Sequence, residues 1–325
     1  MRRQTGAWLA ALLLVISLVT LPPQAVAAQR DAPEGQIAFV EDGNIWRWTP
    51  DGVEQIIEDG SALDPTWSPD GERLLYVRDG GSYSNLVLVE VESGRVTRLT
   101  DNESDAEEGS PEYVSGSAWA IDPFWSDAGI VCFISDAGSE TRQMELWILD
   151  PESRSAYRAA TDGGDAGSIE QVTVDADATW AVYTVFAAGG AEGGTTYIAL
   201  RDINLGTTYP IIEGPRGAYD AAISPDAAWI VASIRDEQGM SDLWLFERET
   251  DELTRLTTGA EASNAVWSPD GTWLAYMRRA EDGFEIWAMP FDRERGEPAG
   301  DPRKLVDARA IDAPSGLAWG EPPRR

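Results

Sequence analysis

Short apolar segments separated by turn residues recur along most of this chain. Leu74 to Val77 and Leu274 to Met277 are typical, and each is followed, after a polar loop, by a second short apolar segment. A further segment, such as Val96 to Thr100, ends the unit. Four short strands in units of roughly 45 to 60 residues are typical of the blades of a β-propeller. The pattern therefore predicts an all-β protein.

One eight-residue motif marks the first strand of each unit. Asp64 to Gly71 (DPTWSPDG) returns as Asn264 to Gly271 (NAVWSPDG). Divergent copies occupy the same place in the other units, at residues 122–129, 171–178 and 220–227, with a short final copy at 316–319. Five whole units and one divided unit predict a six-bladed β-propeller.

The divided unit suggests how the ring closes. Residues 36–40 correspond to a second strand, 45–48 to a third and 53–57 to a fourth, so the first blade lacks its innermost strand. The final copy of the motif corresponds to that missing strand. We therefore expect the C-terminal strand 316–319 to complete the first blade and close the ring, which removes exposed sheet edges.

The motif resembles the repeat of the TolB-type, WD40-like propeller family. Trp267 to Tyr276 (WSPDGTWLAY) matches the family signature W-S-P-D-G-x-x-L-A-Y throughout, and Trp67 to Tyr76 differs only at Leu75. The resemblance covers residues 35–322 and implies the propeller fold. It implies less about function, because one scaffold serves transport accessories, protease gates and binding modules. We find no α/β domain ahead of the propeller, so we do not expect the role of TolB itself.

The first residues have the pattern of an export signal. Arg2 and Arg3 precede an apolar run over residues 7–21, and Ala25-Val26-Ala27 follows as a small-residue cleavage site. We expect residues 1–28 to be a removed signal peptide and the propeller to be periplasmic or secreted. The alternative is an uncleaved membrane anchor, although the apolar run is short for a spanning helix.

Composition excludes several kinds of chemistry. The chain has no histidine, one cysteine and a formal net charge of −31. Without histidine, Ser-His-Asp and Cys-His nucleophile systems and imidazole metal ligands are excluded. Cys132 lies in an apolar strand and is expected to be a small buried hydrophobe. The strong negative charge disfavours nucleic acid as a partner.

Aligned first strands predict a candidate site. Three residues before Trp67 or its equivalent, the six units carry Asp64, Asp122, Gln171, Asp220, Asn264 and Gly316. Because innermost strands line the central channel of a propeller, these residues should surround its mouth. Asp64, Asp122 and Asp220 are candidate ligands for a hard cation such as calcium. The alternative is that these side chains bond nearby backbone amides.

Two other acidic features occur in the sequence. The Ser-Pro-Asp-Gly aspartates Asp70, Asp226 and Asp270 have the residue types of tight turns, so we expect them to be structural. The long segment Asp101 to Ile121 carries six carboxylates and should lie at the same end as the channel mouth. We expect it to form a flexible acidic loop.

Together these features predict an exported, monomeric, non-catalytic propeller that binds a protein or peptide at its acidic channel mouth, with a basic segment as one option. No catalytic residue and no cofactor other than calcium is nominated. Membrane association is expected only if the signal is uncleaved. One alternative is a carbohydrate-active or peptide-processing enzyme that uses carboxylates alone, and another is an accessory gate for a separate protease.

Overall fold

The structure, a computed structural model, describes residues 32–160, 168–187 and 196–322. The predicted signal peptide, residues 1–28, lies outside the described residues, so its removal stays a prediction. In the described ranges, no helix combines the length and hydropathy that a membrane span requires.

Six antiparallel sheets form six blades, which confirms the predicted six-bladed propeller. Blade 1 begins with three strands: β1 (Gln36–Glu41), β2 (Asn44–Thr49) and β3 (Gly52–Ile57). Blade 2 follows with β4 (Ala62–Trp67), β5 (Arg73–Asp79), β6 (Ser84–Glu90) and β7 (Arg95–Arg98). A short helix, α1 (Pro111–Gly116), precedes blade 3, which contains β8 (Ala120–Trp125), β9 (Val131–Ser135), β10 (Glu145–Asp150) and β11 (Ser155–Ala160).

The second half of the ring repeats this order. Blade 4 contains β12 (Ser168–Val174), β13 (Trp180–Phe186), β14 (Thr196–Asp202) and β15 (Thr207–Glu213). Blade 5 contains β16 (Ala218–Ile223), β17 (Trp229–Arg235), β18 (Ser241–Glu247) and β19 (Glu252–Arg255). Blade 6 contains β20 (Ala262–Trp267), β21 (Trp273–Ala280), β22 (Gly283–Asp292), β23 (Glu297–Pro298) and β24 (Arg303–Arg309). A 3-10 helix (Ala313–Ser315) and β25 (Ala318–Gly320) complete the described chain.

The last strand closes the ring as the sequence predicts. Strand β25 pairs antiparallel with β1, with Ile37 opposite Trp319 and Ala38 opposite Ala318. The side chain of Gln36 reinforces this junction, because its Nε2 donates to the carbonyl oxygens of Gly71 and Glu321, each at 2.8 Å. Blade 1 is therefore built from both ends of the propeller.

The hydrophobic core is divided among the junctions between blades. Six clusters of buried side chains are found among the described residues, each drawn from two neighbouring blades. Second strands are buried along most of their length, as in β17 and the central residues of β5, because they are covered on both faces by adjacent blades. Outer strands such as β19 are exposed. This distribution explains why second strands appear as continuous apolar runs in the sequence.

The two Ser-Pro-Asp-Gly segments, and Ser-Pro-Asp-Ala at residues 224–227, form tight turns between first and second strands. The hydroxyls of Ser68, Ser224 and Ser268 donate to Asp70, Asp226 and Asp270, at 2.5, 2.7 and 2.8 Å. Gly71 and Gly271 adopt φ values of 68° and 67°, which glycine reaches without steric cost. The serine, aspartate and glycine of the motif therefore have a structural use.

A second repeated polar position lies at the start of the third strands. Asp242 is 2% exposed and accepts hydrogen bonds from Arg255, from the Thr257 hydroxyl and from the backbone N–H groups of Gly259 and Ala260. Asn44 and Asn85 accept backbone N–H groups at the same place in blades 1 and 2. These side chains hold the segment that leads from each outer strand to the next blade.

Candidate functional site

All six innermost strands line one central channel. Its lining includes Asp64, Asp122, Gln171, Asp220 and Asn264, together with Gly316, so the structure brings the six aligned residues to one place. We call these six residues the channel-mouth ring. The space open to the centres of water molecules is about 180 Å³. A cavity of this shape, with mixed polar and apolar walls, is typical of a ligand site.

Each residue of the channel-mouth ring adopts a left-handed backbone conformation. The φ values are 46° for Asp64, 48° for Asp122, 60° for Gln171, 52° for Asp220, 51° for Asn264 and 65° for Gly316. In blades 2 to 6, the pairing register of the first strand shifts at this point. Aspartate, asparagine and glycine tolerate this conformation better than most residues. The five ring positions in blades 2 to 6 are therefore β-bulges, which redirect side chains, whereas Gly316 precedes β25.

The ring side chains link neighbouring blades in one direction around the channel. Asp64 accepts the backbone N–H of Asp122 at 3.2 Å, and Asp122 accepts that of Gln171 at 2.8 Å. Gln171 accepts the N–H of Asp220 at 3.1 Å, and Asp220 accepts that of Asn264. The partner in every link is thus the amide of the next blade.

The hydrogen bonds between neighbouring ring residues follow a different pattern at blade 1. Asn264 donates through Nδ2 to the carbonyl oxygen of Ala313 at 2.9 Å, in the 3-10 helix. Gly316 has no side chain, and Ser315 instead hydrogen-bonds to Asp64. The charged side chains of the ring therefore belong to blades 2, 3 and 5.

Burial and mutual repulsion dominate the electrostatics of the ring. Burial raises the pKa of Asp64 to about 6, opposed by the Asp122 amide and reinforced by Asp312. Burial and the adjacent Asp64 raise the pKa of Asp122 well above its ordinary value. Burial also raises the pKa of Asp220, although Gln171 and Arg235 partly offset this effect. These carboxylates favour a cationic neighbour or a proton.

A fourth carboxylate acts on this site through its charge and was missed in the sequence. Glu170 is half-buried, burial raises its pKa, and its charge acts on both Asp64 and Asp122. It precedes Gln171, so alignment on the tryptophan position did not reveal it. The sequence signal that could have revealed Glu170 is its place directly before Gln171, the uncharged ring residue of blade 4.

The carboxylates do not gather into a recognisable metal site. Within the parts of the chain that the structure describes, no three His, Cys, Asp or Glu side chains are placed to hold a metal ion. Calcium binding by Asp64, Asp122 and Asp220 therefore stays a prediction of the sequence, without geometric support.

The acidic segment that begins at Asp101 is folded against blade 2. Helix α1 is capped by Ser110, whose hydroxyl accepts the N–H of Tyr113 at 3.0 Å. Tyr113 is buried and donates its hydroxyl to Glu103 at 3.0 Å. Ala118 N–H bonds to the carbonyl of Asn102 at 2.9 Å. The segment thus carries its carboxylates on an anchored loop next to the start of β8.

Comparison with solved structures confirms the resemblance to TolB at the level of fold. The crystal structure of TolB from Acinetobacter baumannii is 17% identical, with a TM-score of 0.65, and the match covers 88% of this chain and 67% of that chain. An oligogalacturonate lyase in complex with manganese is 14% identical, with a TM-score of 0.54, covering 84% of this chain and 74% of that chain. No protein-family model matches the chain.

A curated relative bears on catalysis. The uncharacterized peptidase YuxL of Bacillus subtilis (strain 168) is 25% identical over 241 residues, which are 70% of this chain and 30% of that protein. The chain therefore spans about 30% of the length of the curated relative that it matches.

These comparisons contradict our expectation that the chain is not an enzyme. The curated relative carries a peptidase name, and a lyase shares the propeller fold. The expectation was wrong because the absence of histidine excludes only histidine-dependent chemistry. A buried carboxylate pair can also catalyse reactions.

Proposed function

We propose that this chain is an exported propeller that binds a protein or peptide segment of basic character at its channel mouth. The observation that carries the proposal is the convergence of Asp64, Asp122 and Asp220 on one cavity, with Glu170 close enough for its charge to act on Asp64 and Asp122. A basic ligand would relieve repulsion that the fold itself leaves in place.

Two similar proteins support a polypeptide ligand. The curated relative is named a peptidase, and another solved propeller of similar fold is part of a nidogen–laminin complex. Export, which the pattern at residues 1–28 predicts, would place the channel in contact with extracytoplasmic polypeptides.

The test is binding of basic peptides to the chain beginning at Gln29. Fluorescence anisotropy should show binding of a lysine-rich peptide with both ends blocked, and much weaker binding of a glutamate-rich peptide of equal length. The variant Asp64→Asn/Asp122→Asn/Asp220→Asn should lose at least about tenfold in affinity, because it removes the ionisable carboxyls that would attract a basic ligand to the mouth.

A matched control variant replaces three aspartates outside the channel mouth. Asp51, Asp251 and Asp301 are exposed, and their triple replacement by asparagine should leave binding unchanged at moderate salt. Equal losses in both triple variants would show that net charge, rather than the channel mouth, attracts the peptide.

A carboxylate-dependent enzyme is the second candidate, favoured by the Asp64 and Asp122 pair. The two residues are neighbours in the ring, and the pKa of Asp122 is raised partly by Asp64. Such a pair could hold one proton and supply both an acid and a base. Hydrolysis of peptide or glycoside reporter substrates, lost in both Asp64→Asn and Asp122→Asn, would establish this function.

A further inference from the structure

Two exposed arginines of blade 5 lie beside the channel-mouth ring. Arg216 is in the loop before β16, and Arg235 is the last residue of β17. The Arg216 N–H donates to the carbonyl oxygen of Arg235 at 3.4 Å, and the Arg235 N–H donates to that of Gly217 at 3.2 Å. The two side chains therefore begin from adjacent points of the backbone. We call these two residues the rim arginines.

The rim arginines lack carboxylate partners, which is unusual in this chain. The sequence has 56 acidic residues against 25 basic ones, and most described arginines lie within 4.0 Å of a carboxylate. Neither rim arginine has a carboxylate of the described residues within that distance. Asp236, which follows Arg235, instead accepts the backbone N–H groups of Gln238 and Met240, each at 2.9 Å. The positive charge of the rim arginines is therefore available to a ligand.

Blade 6 shows the same position with a carboxylate in place. By strand register, Arg279 is the equivalent of Arg235, and its Nε lies 3.8 Å from Oε2 of Glu261. The equivalent of Glu261 in blade 5 is Gly217. Its φ is 97°, and a side chain there would collide with neighbouring side chains, so glycine is required. Arg235 thus lacks the partner that its equivalent has.

The ring of Tyr219 holds Arg235 in position. The guanidinium carbon of Arg235 lies 4.5 Å from the centre of the Tyr219 ring. The Tyr219 hydroxyl donates to the carbonyl oxygen of Arg216 at 3.2 Å, and the ring of Phe186, from blade 4, lies 6.4 Å from that of Tyr219. A stacked guanidinium keeps its in-plane N–H groups for hydrogen bonds and loses little freedom when it makes them. Arg235 is thus preorganised for a planar anion.

The rim arginines adjoin the acidic ring. Tyr219 directly precedes Asp220 in β16. Burial raises the pKa of Asp220, and the charge of Arg235 is close enough to oppose that rise. Positive and negative groups therefore lie side by side at the mouth of the channel. A ligand that complements both carries a cation and an anion a short distance apart.

We infer that the ligand of the channel mouth carries a carboxylate close to its basic residue, and that the rim arginines bind this carboxylate. A carboxylate fits because its two oxygens match two N–H groups of a guanidinium. The carboxyl end of a polypeptide and an acidic side chain both supply this group. The inference rests on the proposed function and names a second feature of its ligand.

Three lysine-rich peptides, labelled at blocked amino ends, test the carboxylate and separate its two sources. The first ends in glutamine amide, the second in glutamine with a free carboxyl group, and the third in glutamate amide. Anisotropy should show that at least one carboxylate peptide binds about tenfold more tightly than the first, as expected for a charge-assisted hydrogen bond. The net charge of −31 alone would weaken binding of both carboxylate peptides. Equal or weaker binding of both would overturn the inference.

Protein variants test the rim arginines. Arg216→Gln/Arg235→Gln should abolish the preference for the carboxylate peptide without weakening the binding of the first peptide. Arg235→Lys keeps the charge but loses the planar fork, so it should keep only part of the preference. Arg279→Gln is the matched control for Arg235→Gln, because it removes the equivalent charge from blade 6, and it should keep the preference. A preference that survives in the double variant would refute the role of the rim arginines.

The outcomes separate this inference from the proposed function. If the first peptide binds and depends on the ring aspartates, but neither carboxylate adds affinity, the inference fails and the proposed function stands. If a carboxylate adds affinity through the rim arginines, but the ring variant binds every peptide normally, the arginine site stands and the proposed function fails. If no peptide binds, both fail.

Discussion

At the scale of single residues, the ring aspartates combine a structural link with an electrostatic cost. Each accepts an amide of the next blade, which requires only an acceptor oxygen. The negative charge is costly, because burial raises the pKa of both Asp64 and Asp122 and nearby carboxylates raise it further. Asparagine would keep the acceptor and remove the charge. The hydrogen bonds between blades therefore do not by themselves explain why these positions carry aspartate rather than asparagine.

This reasoning predicts a specific pH dependence. A carboxyl with a folded pKa above its unfolded value contributes stability at low pH, and that contribution is lost as pH rises through the folded pKa. For Asp64, a change from 3.8 to about 6 corresponds to roughly 3 kcal/mol. Asp64→Asn/Asp122→Asn should therefore be more stable than the natural chain at pH 7.5, and this advantage should shrink towards pH 4.

Urea denaturation at several pH values measures this difference. The control Asp51→Asn/Asp251→Asn removes two exposed carboxyls and should follow the natural chain in its pH dependence. Parallel curves for the natural chain and the ring variant would show that the two ring carboxyls are not stabilised in their protonated form.

The sequence predicted the residues of the ring but not their bonds. Spacing from the tryptophan placed Asp64, Asp122 and Asp220 at equivalent positions, because the innermost strands repeat with the same register. It could not show the bulge, since positive φ depends on pairing with the second strand. It also missed Glu170, because the effect of its charge on Asp64 and Asp122 depends on how the blades are arranged.

The composition shows a preference for arginine over lysine but does not explain it. The chain has a single lysine, Lys304. In the structure, arginine side chains stack on aromatic rings, and Arg309 lies 4.1 Å from the centre of the Trp46 ring and 5.6 Å from that of Phe39. The planar guanidinium group can stack in this way while it donates hydrogen bonds, which an ammonium group does less well.

At the scale of elements, polar side chains at the start of third strands hold the segments between blades. The sequence predicted the strands, because their apolar pattern is local. It did not predict the role of Asp242, whose partners lie 13 to 18 residues further along the chain. Buried aspartate inside an apolar strand was the only local sign.

Loss of Asp242 should be severe. Asp242→Ala leaves Arg255 and two backbone N–H groups without their acceptor and should lower the free energy of unfolding by about 3 to 5 kcal/mol. Asp242→Asn keeps one acceptor oxygen and should cost about 1 to 2 kcal/mol. Urea denaturation measures both values, with exposed Glu252→Ala as the control. Equal effects of Asp242→Ala and Glu252→Ala would contradict the proposed role of Asp242.

At the scale of the whole molecule, closure by β25 is the property that the sequence predicted best. The missing strand of blade 1 and the final copy of the motif were both visible as sequence patterns. The function was predicted less well, since the same fold occurs in TolB and in a lyase.

Removal of the closing strand should destabilise the entire ring. A chain that ends at Pro314 lacks β25 and Trp319, which pairs with Ile37, so β1 becomes an open edge beside the channel. Its Tm should fall by well over about 10 °C, more than the loss of a loose tail would cause. A chain that ends at Pro322 keeps β25 and serves as the control. Equal Tm values for the two shortened chains would refute closure by β25.

The pairing of β1 with β25 also determines when the protein can complete its folding. Strand β1 is synthesised early, but its partner emerges only after the five other blades. Throughout synthesis, the first blade has an unsatisfied edge that can pair with other chains. Any cellular factor that protects the nascent protein must therefore act until its last strand is delivered, because native closure cannot occur sooner.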